Sequence, residues 1–489
     1  MTSQPSTTEP EGQGEELSRS LSNRHIQLIA IGGAIGTGLF MGSGKTISVA
    51  GPSVILVYMI IGFMLYFVMR AMGELLLSRT GYRNFADFAG DILGPWAAFF
   101  TGWTYWFCWV VTGVADVIVI ASVYIKFWLP TVPVWIPALV VIALLIALNL
   151  PSVKGFGETE FWFAMVKIIA IVALILVGLI MIFTGFKGDD GSAASFMNLF
   201  DQGAGFFGGG FMGFVMGFQI AVFAFVGIEL VGTAAAETKN PEHNLPKAIN
   251  AIPIRVILFY VGSLVILMSV VPWTRYSADE SPFVMLFTLA GLGAAAHLVN
   301  LVVLTSAASS ANSGIYSTSR MVYGLATEGD APRRFAKLSK RKVPENALFL
   351  SGVMLLSSVV LLLLGLDKSK GFSIVTTISS LCFMFVWTII LVSYLVYRKR
   401  RPQDHAKSKF KMPLGLFMPY VVMAFFVFLL WAFTKDDETL TGLIATPIWF
   451  VLVGIAYLVL RNNPAHAASR AAHVKKVAQE KAAAAAFTG

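Results

Sequence analysis

Twelve apolar runs, each about as long as a bilayer is thick, restrict the folds open to this chain more than any other feature. They lie near 26–48, 52–77, 96–128, 131–150, 159–184, 208–237, 250–272, 283–318, 347–366, 371–397, 412–434 and 441–460. A helix crosses the hydrocarbon core with about 20 mainly apolar residues. Charged residues make up 13% of the 489, against roughly 25% in soluble proteins. That scarcity excludes a disordered, collagenous or coiled-coil chain and argues against a water-soluble enzyme. The expectation is an all-α integral membrane protein with twelve transmembrane helices. Residues 1–18 form a Ser/Thr/Pro/Glu tail without the basic–apolar–cleavage pattern of a signal peptide. Residues 19–461 would be one domain, followed by an Ala-rich basic tail over 462–489.

The net charge of +9 suggests nucleic acid until the charges are placed. With the N-terminus set in the cytoplasm, 28 of the 36 Lys and Arg residues fall in inside segments and 7 in outside segments. The positive-inside rule expects this of twelve spans with both ends cytoplasmic. The charge therefore reports orientation, and no nucleic-acid partner is implied. Cys108 and Cys382 sit in apolar runs and offer no disulfide framework. Gly42–Thr46 imitates part of a phosphate loop, but the required first glycine falls on Leu39. No metal cluster or nucleophile elbow appears.

Two spans carry glycine where a helix is weakened by it: Ile31 to Leu39, and Phe223 to Glu229. Irregular backbone at membrane depth survives only where it lines a cavity or is buried. A broken helix presents N–H groups at one half and C=O groups at the other, the complement of a zwitterionic amino acid. Gly32 and Gly36 also form a Gly-x-x-x-Gly pair that would serve helix packing. Spans one and six, however, occupy matching places in two five-helix halves, about 26–184 and 208–397. Interruptions at such places point to a transport site at a repeat interface.

Ionisable residues at depth are costly and functional by default. Lys167 is the basic residue set well inside a span, and a charge that comes and goes there would replace a bound sodium ion and couple transport to protons. The alternative is a lysine snorkelling to the surface. Asp116 and Glu229 are the matching acids. Glu74 and Glu237 fit helix-end structural roles, and His297 a packed, satisfied histidine. The run Thr305 to Gly314 suits close helix contact with hydroxyl bonding, or a cation site. The aromatic block Trp103 to Phe107 offers gating candidates among bundle- and lipid-facing rings. The tail after Asn462 reads as solvated, with a lipid-bound basic helix as the alternative.

Asn23 to Ala30 running into Gly38 resembles the opening signature of bacterial amino-acid permeases, within the amino acid–polyamine–organocation superfamily. Phe223 to Glu229 with Ala236 to Glu242, and Ser309 to Arg320, resemble the same family. The resemblance implies a leucine-transporter-type fold, a 5+5 inverted repeat plus two C-terminal helices at about 412–460, in a bacterial inner membrane. It implies a proton-coupled symporter for small neutral amino acids such as glycine, D-alanine and D-serine, with no cofactor beyond the coupling proton. The backbone of Ile35, Gly36, Thr37 and Gly38 would bind the substrate carboxylate. The carbonyls of Phe223 and Val226, beside Gly227, would take the amino group, with the Phe223 ring as a lid. Lys167 matches the family's fifth-span lysine, and Asp116 stands where many relatives carry glutamate. A permease for 4-aminobutyrate or L-alanine, and a nontransporting receptor, are the alternatives. Oligomeric state is not legible.

Overall fold

The computed structural model describes residues 35–79, 81–82, 84–151, 153–188, 191–200, 205–233, 240–365, 368–462 and 464–488. The readings at Gly32, Gly33, Glu237, the opening signature before Ile35 and the N-terminal tail lie outside them. Nearly all the described chain is helical. Nine helices among the described residues are long and apolar enough to cross a membrane: Gly42–Ser78, Pro95–Tyr124, Gly155–Phe183, Gly210–Thr233, Pro241–Val270, Gly293–Thr327, Glu345–Leu363, Lys370–Arg400 and Asp437–Leu460. Two shorter apolar helices, Trp135–Asn149 and Met418–Phe433, join them.

Most boundaries follow hydropathy, and the departures have local causes. The run expected as one span over 283–318 is two helices, Pro282–Leu289 and Gly293–Thr327, separated by a turn at Gly291. The second continues well past Gly314, because its polar end is packed against protein and does not need an apolar composition. The seventh span starts earlier than expected, at Pro241, since an amphipathic segment leads into it.

The centre of the bundle is the Pro95–Val119 helix, which packs along Gly293–Thr327 and Lys368–Arg400. Pro95–Tyr124 and Gly210–Thr233 are the most buried of the long helices, and Asp437–Leu460 the least. Phe183, Phe211 and Val459 lie exposed on the outside, as a lipid-facing belt requires. Lipid gives no hydrophobic reward for helix association, so close approach through small residues must hold the helices together. The aromatic block serves this packing. The Trp106 indole donates to Ser351 at 3.1 Å, and Phe107 stacks on Trp449 with centroids 3.9 Å apart.

One end of the bundle is tied by charge. The short Phe85–Leu93 helix, N-capped by the Asn84 side chain, presents Asp91 to Arg401 at 2.7 Å and to Lys476. Arg401 also meets Glu480 at 2.8 Å. Lys476 and Glu480 belong to Pro464–Thr488, so the expected solvated tail is instead a helix docked on the bundle. Beside it lies a cavity of about 1280 Å³, lined among others by Tyr82, Asp87, Gly324, Asp330 and His473.

In that cavity wall burial, reinforced by the charge of Glu328, pushes the Asp330 carboxyl up to about 7. In an unfolded chain an aspartate ionises near pH 4, so between about pH 4 and 7 the folded chain holds a proton the unfolded chain has lost. Stability therefore falls as pH rises across that window and levels off above it. Asp330→Asn, neutral at every pH, is expected to gain unfolding temperature relative to the native chain up to about pH 7 and no further. Thermal unfolding in detergent at a series of pH values checks this; a pH-independent difference contradicts it.

Candidate functional site

The first interrupted helix begins with Gly36 in an extended conformation (φ −132°, ψ −158°) ahead of the turn Thr37–Phe40. The Gly36 carbonyl accepts the Leu39 and Phe40 N–H groups, each at 3.2 Å. The helix breaks at Met41 and resumes over Gly42–Ala50. The second runs from Gly210 to Ala221, tightens to a 3-10 turn over Val222–Phe225 and opens at Val226 (ψ 135°) and Gly227 (φ +102°). A residue with a Cβ is strained at that φ, so glycine is what allows the break. Leu230–Thr233 then continues.

The two interruptions touch through their backbones. A Cβ on Gly38 would sit 2.5 Å from the Ala224 Cα and 2.7 Å from its nitrogen. Ile35, Gly36, Thr37, Gly38, Phe223, Val226 and Gly227 are all buried. The Phe223 carbonyl accepts the Val226 N–H at 3.1 Å and keeps its second lone pair. The Phe223 ring stands edge-on to Phe372, centroids 6.0 Å apart. Glu229 folds back to accept the Gly227 N–H at 3.2 Å. Its other oxygen is buried without a hydrogen bond among the described residues, close to the Trp109 and Trp387 side chains.

The polar residues beside this crossing form a network across four helices. Thr37 donates its hydroxyl to Asp116, joining the first interruption to the Pro95–Val119 helix. Asp116 Oδ2 is buried without a hydrogen bond among the described residues. Lys167 has zero exposure, which removes the snorkelling alternative, and it interacts electrostatically with Glu160 and Asp116. The small-residue run does more than pack: Ser306 donates to the Ile35 carbonyl at 3.1 Å and Ser309 to Glu160 at 2.6 Å. Thr37, Asp116 and Lys167 thus come together, while Glu229 has separate surroundings.

Glu160 escaped the sequence reading. Its signal was the seven-residue spacing to Lys167, two helical turns that put both on one face; hydropathy placed it at the edge of a span, where a carboxylate attracts no notice. Glu74 and His297 lie elsewhere. Glu74 takes the Met412 N–H at 2.8 Å and faces His405 at 2.6 Å, a helix-end role. His297 accepts the Trp128 indole N–H at 2.9 Å.

Interrupted helices in backbone contact, inside a multi-pass bundle and flanked by buried charge, make a membrane transport protein of this molecule. Residues 25–468 match the family model described as Amino acid permease, and the chain belongs to that family. It is 61% identical over 462 residues to the D-serine/D-alanine/glycine transporter of Escherichia coli (strain K12), covering 94% of this chain and 97% of that protein. It is 50% identical over 448 residues to the amino-acid permease AapA of Bacillus subtilis (strain 168), with 92% and 96% covered. It is 40% identical over 450 residues to the aromatic amino acid transport protein AroP of Escherichia coli, with 92% and 97% covered. These relatives are transporters and permeases, not enzymes.

Overpacking the crossing carries a defined cost. Gly38→Ala is expected to destabilise the protein by about 1–3 kcal/mol, because two backbones must part to admit the methyl. Gly454→Ala, with open space around its Cβ, is the control. Unfolding temperatures of the two variants in detergent check the contrast.

Proposed function

We propose that this chain is a proton-coupled symporter that imports small neutral amino acids, glycine, D-alanine and D-serine, across a bacterial inner membrane. The observation that carries the reading is the Thr37–Asp116 hydrogen bond. It joins the interrupted backbone that would hold substrate to the buried charges that would hold a proton. The names of the most similar relatives support the substrate class. The polar network beside the crossing supports the coupling.

In this reading the N–H groups around Ile35, Gly36, Thr37 and Gly38 receive the substrate carboxylate at a positive helix end. The Phe223 and Val226 carbonyls, exposed by the break at Gly227, receive the ammonium. Phe223, backed by Phe372, closes over a small side chain and leaves little volume for a large one. A protonated Lys167 supplies the cation that stabilises the loaded state, while Asp116 and Glu229 adjust its charge balance from two sides. The bundle is read as twelve spans. Gly42–Ser78 divides at Gly51 and Pro52, and the two shorter apolar helices cross as well. A 5+5 inverted repeat with two further helices, and both termini in the cytoplasm, complete it. Rocking of one helix group about the crossing then alternates access.

Lys167→Ala is expected to abolish accumulation driven by a pH gradient in proteoliposomes while the protein stays folded and monodisperse. Undiminished accumulation refutes the coupling role of Lys167. In a competition panel against radiolabelled D-alanine, glycine and D-serine are expected to compete strongly. Bulky D-amino acids and 4-aminobutyrate are expected to compete weakly, since extra volume meets Phe223. The opposite ranking reassigns the substrate, and binding without accumulation identifies a receptor.

A further inference from the structure

The proposed coupling leaves one buried carboxylate without a task. Glu160 has zero exposure, and its Oε1 accepts the Ser309 hydroxyl at 2.6 Å. Its Oε2 is buried and makes no hydrogen bond among the described residues. An acid in that condition at membrane depth is costly unless it is used. Its polar and charged neighbours come from its own helix and from Gly293–Thr327. Lys167 lies on its own helix, and Asp116 beyond that lysine. Asn312 and Ser313 approach from Gly293–Thr327, and Asn149 bonds to Asn312 at 2.8 Å from Trp135–Asn149. Helical side chains lean toward the N-terminus of their helix. The long Lys167 stem therefore points back toward Glu160, which is two turns nearer the Val153 end.

One turn further toward that end stands Phe156. Its ring stacks on Tyr316 with centroids 3.7 Å apart and planes 6° apart. The Arg320 guanidinium lies 3.4 Å from the same Tyr316 centroid. Two groups so close to one centroid must occupy opposite faces, so Tyr316 is held between Phe156 and Arg320. Phe156, Tyr316 and Arg320 are all buried. The order along the helix is thus lysine, carboxylate, ring plug.

We propose that Glu160 is the proton-release group of the transport cycle, relaying the Lys167 proton toward the cytoplasm behind a plug formed by Phe156 and Tyr316. The inference rests on the proton-coupled reading above and names the group that reading lacks. The Lys167 ammonium passes its proton to the Glu160 carboxylate, leaving a neutral amine and a neutral acid. When the plug parts, the acid gives the proton to cytoplasmic water and returns to carboxylate. Lys167 takes its next proton from the opposite side. The net charge of the pair stays zero through the first transfer and both groups end neutral, which suits a site out of water.

The test uses the full chain in proteoliposomes with radiolabelled D-alanine outside and a pH-sensitive dye inside. Glu160→Gln keeps the shape and the Ser309 contact but holds no exchangeable acid proton. It is expected to preserve equilibrium exchange of D-alanine, which needs no net proton movement. It is expected to lose both the pH-gradient-driven accumulation and the acidification of the lumen that accompanies uptake, with Glu160→Asp recovering part of each. Wild-type accumulation by Glu160→Gln overturns the relay, and so does a parallel loss of exchange, which marks a purely structural carboxylate. Phe156→Ala supplies a second readout. With the plug thinned, an imposed pH gradient is expected to decay faster without substrate, and an unchanged decay overturns the path. If the native chain exchanges D-alanine but a pH gradient drives no accumulation, the proton-coupled reading itself fails. If the native chain accumulates and Glu160→Gln does too, Glu160 alone is wrong.

Discussion

Everything at the centre of this molecule depends on two polypeptide backbones meeting with no side chain between them. Gly38 lies against the Ala224 main chain, and both strands of that contact are irregular. In lipid such backbone would be prohibitive, because each unpaired N–H or C=O forfeits its hydrogen bonds. It persists because the surrounding helices satisfy it. Tyr260 donates to the Ala224 carbonyl at 2.9 Å, Ser306 to the Ile35 carbonyl, and Glu229 accepts from Gly227. The remaining helices of the bundle can be regarded as the enclosure that makes this one crossing tolerable.

Enclosing charge imposes a second condition. Lys167, Glu160 and Asp116 are all fully buried, and a lone ion there would cost several kcal/mol. Grouped, they offset one another while leaving one carboxylate oxygen each of Glu160 and Asp116 without a hydrogen bond among the described residues. A network satisfied to completion would hold one arrangement firmly. This one leaves acceptor capacity open beside a buried lysine, which is what the proposed proton coupling would draw on.

Legibility followed range along the chain. Long spans and the interruptions at Gly36 and Gly227 are local properties of composition and were readable. So was the isolation of Lys167 among apolar neighbours, although only packing distinguishes burial from snorkelling. The Thr37–Asp116 bond joins residues 79 positions apart and the Ser309–Glu160 bond residues 149 apart, and no periodicity encodes either. Glu160 was hidden by its position at a hydropathy boundary. Window averages also blurred the turn at Gly291, merging a short helix with the long one after it. The docked C-terminal helix was invisible because its anchors, Asp91 and Arg401, lie in connecting segments that look solvated.

Those anchors bear on how the molecule is made. Asp91 meets Arg401 across 310 positions and Lys476 across 385. A ribosome delivering the chain exposes Asp91 soon after its local partner Arg79, but long before its distant partners Arg401 and Lys476. The ties that join Phe85–Leu93 to Arg401 and to Pro464–Thr488 therefore form only after the helices between them have been made.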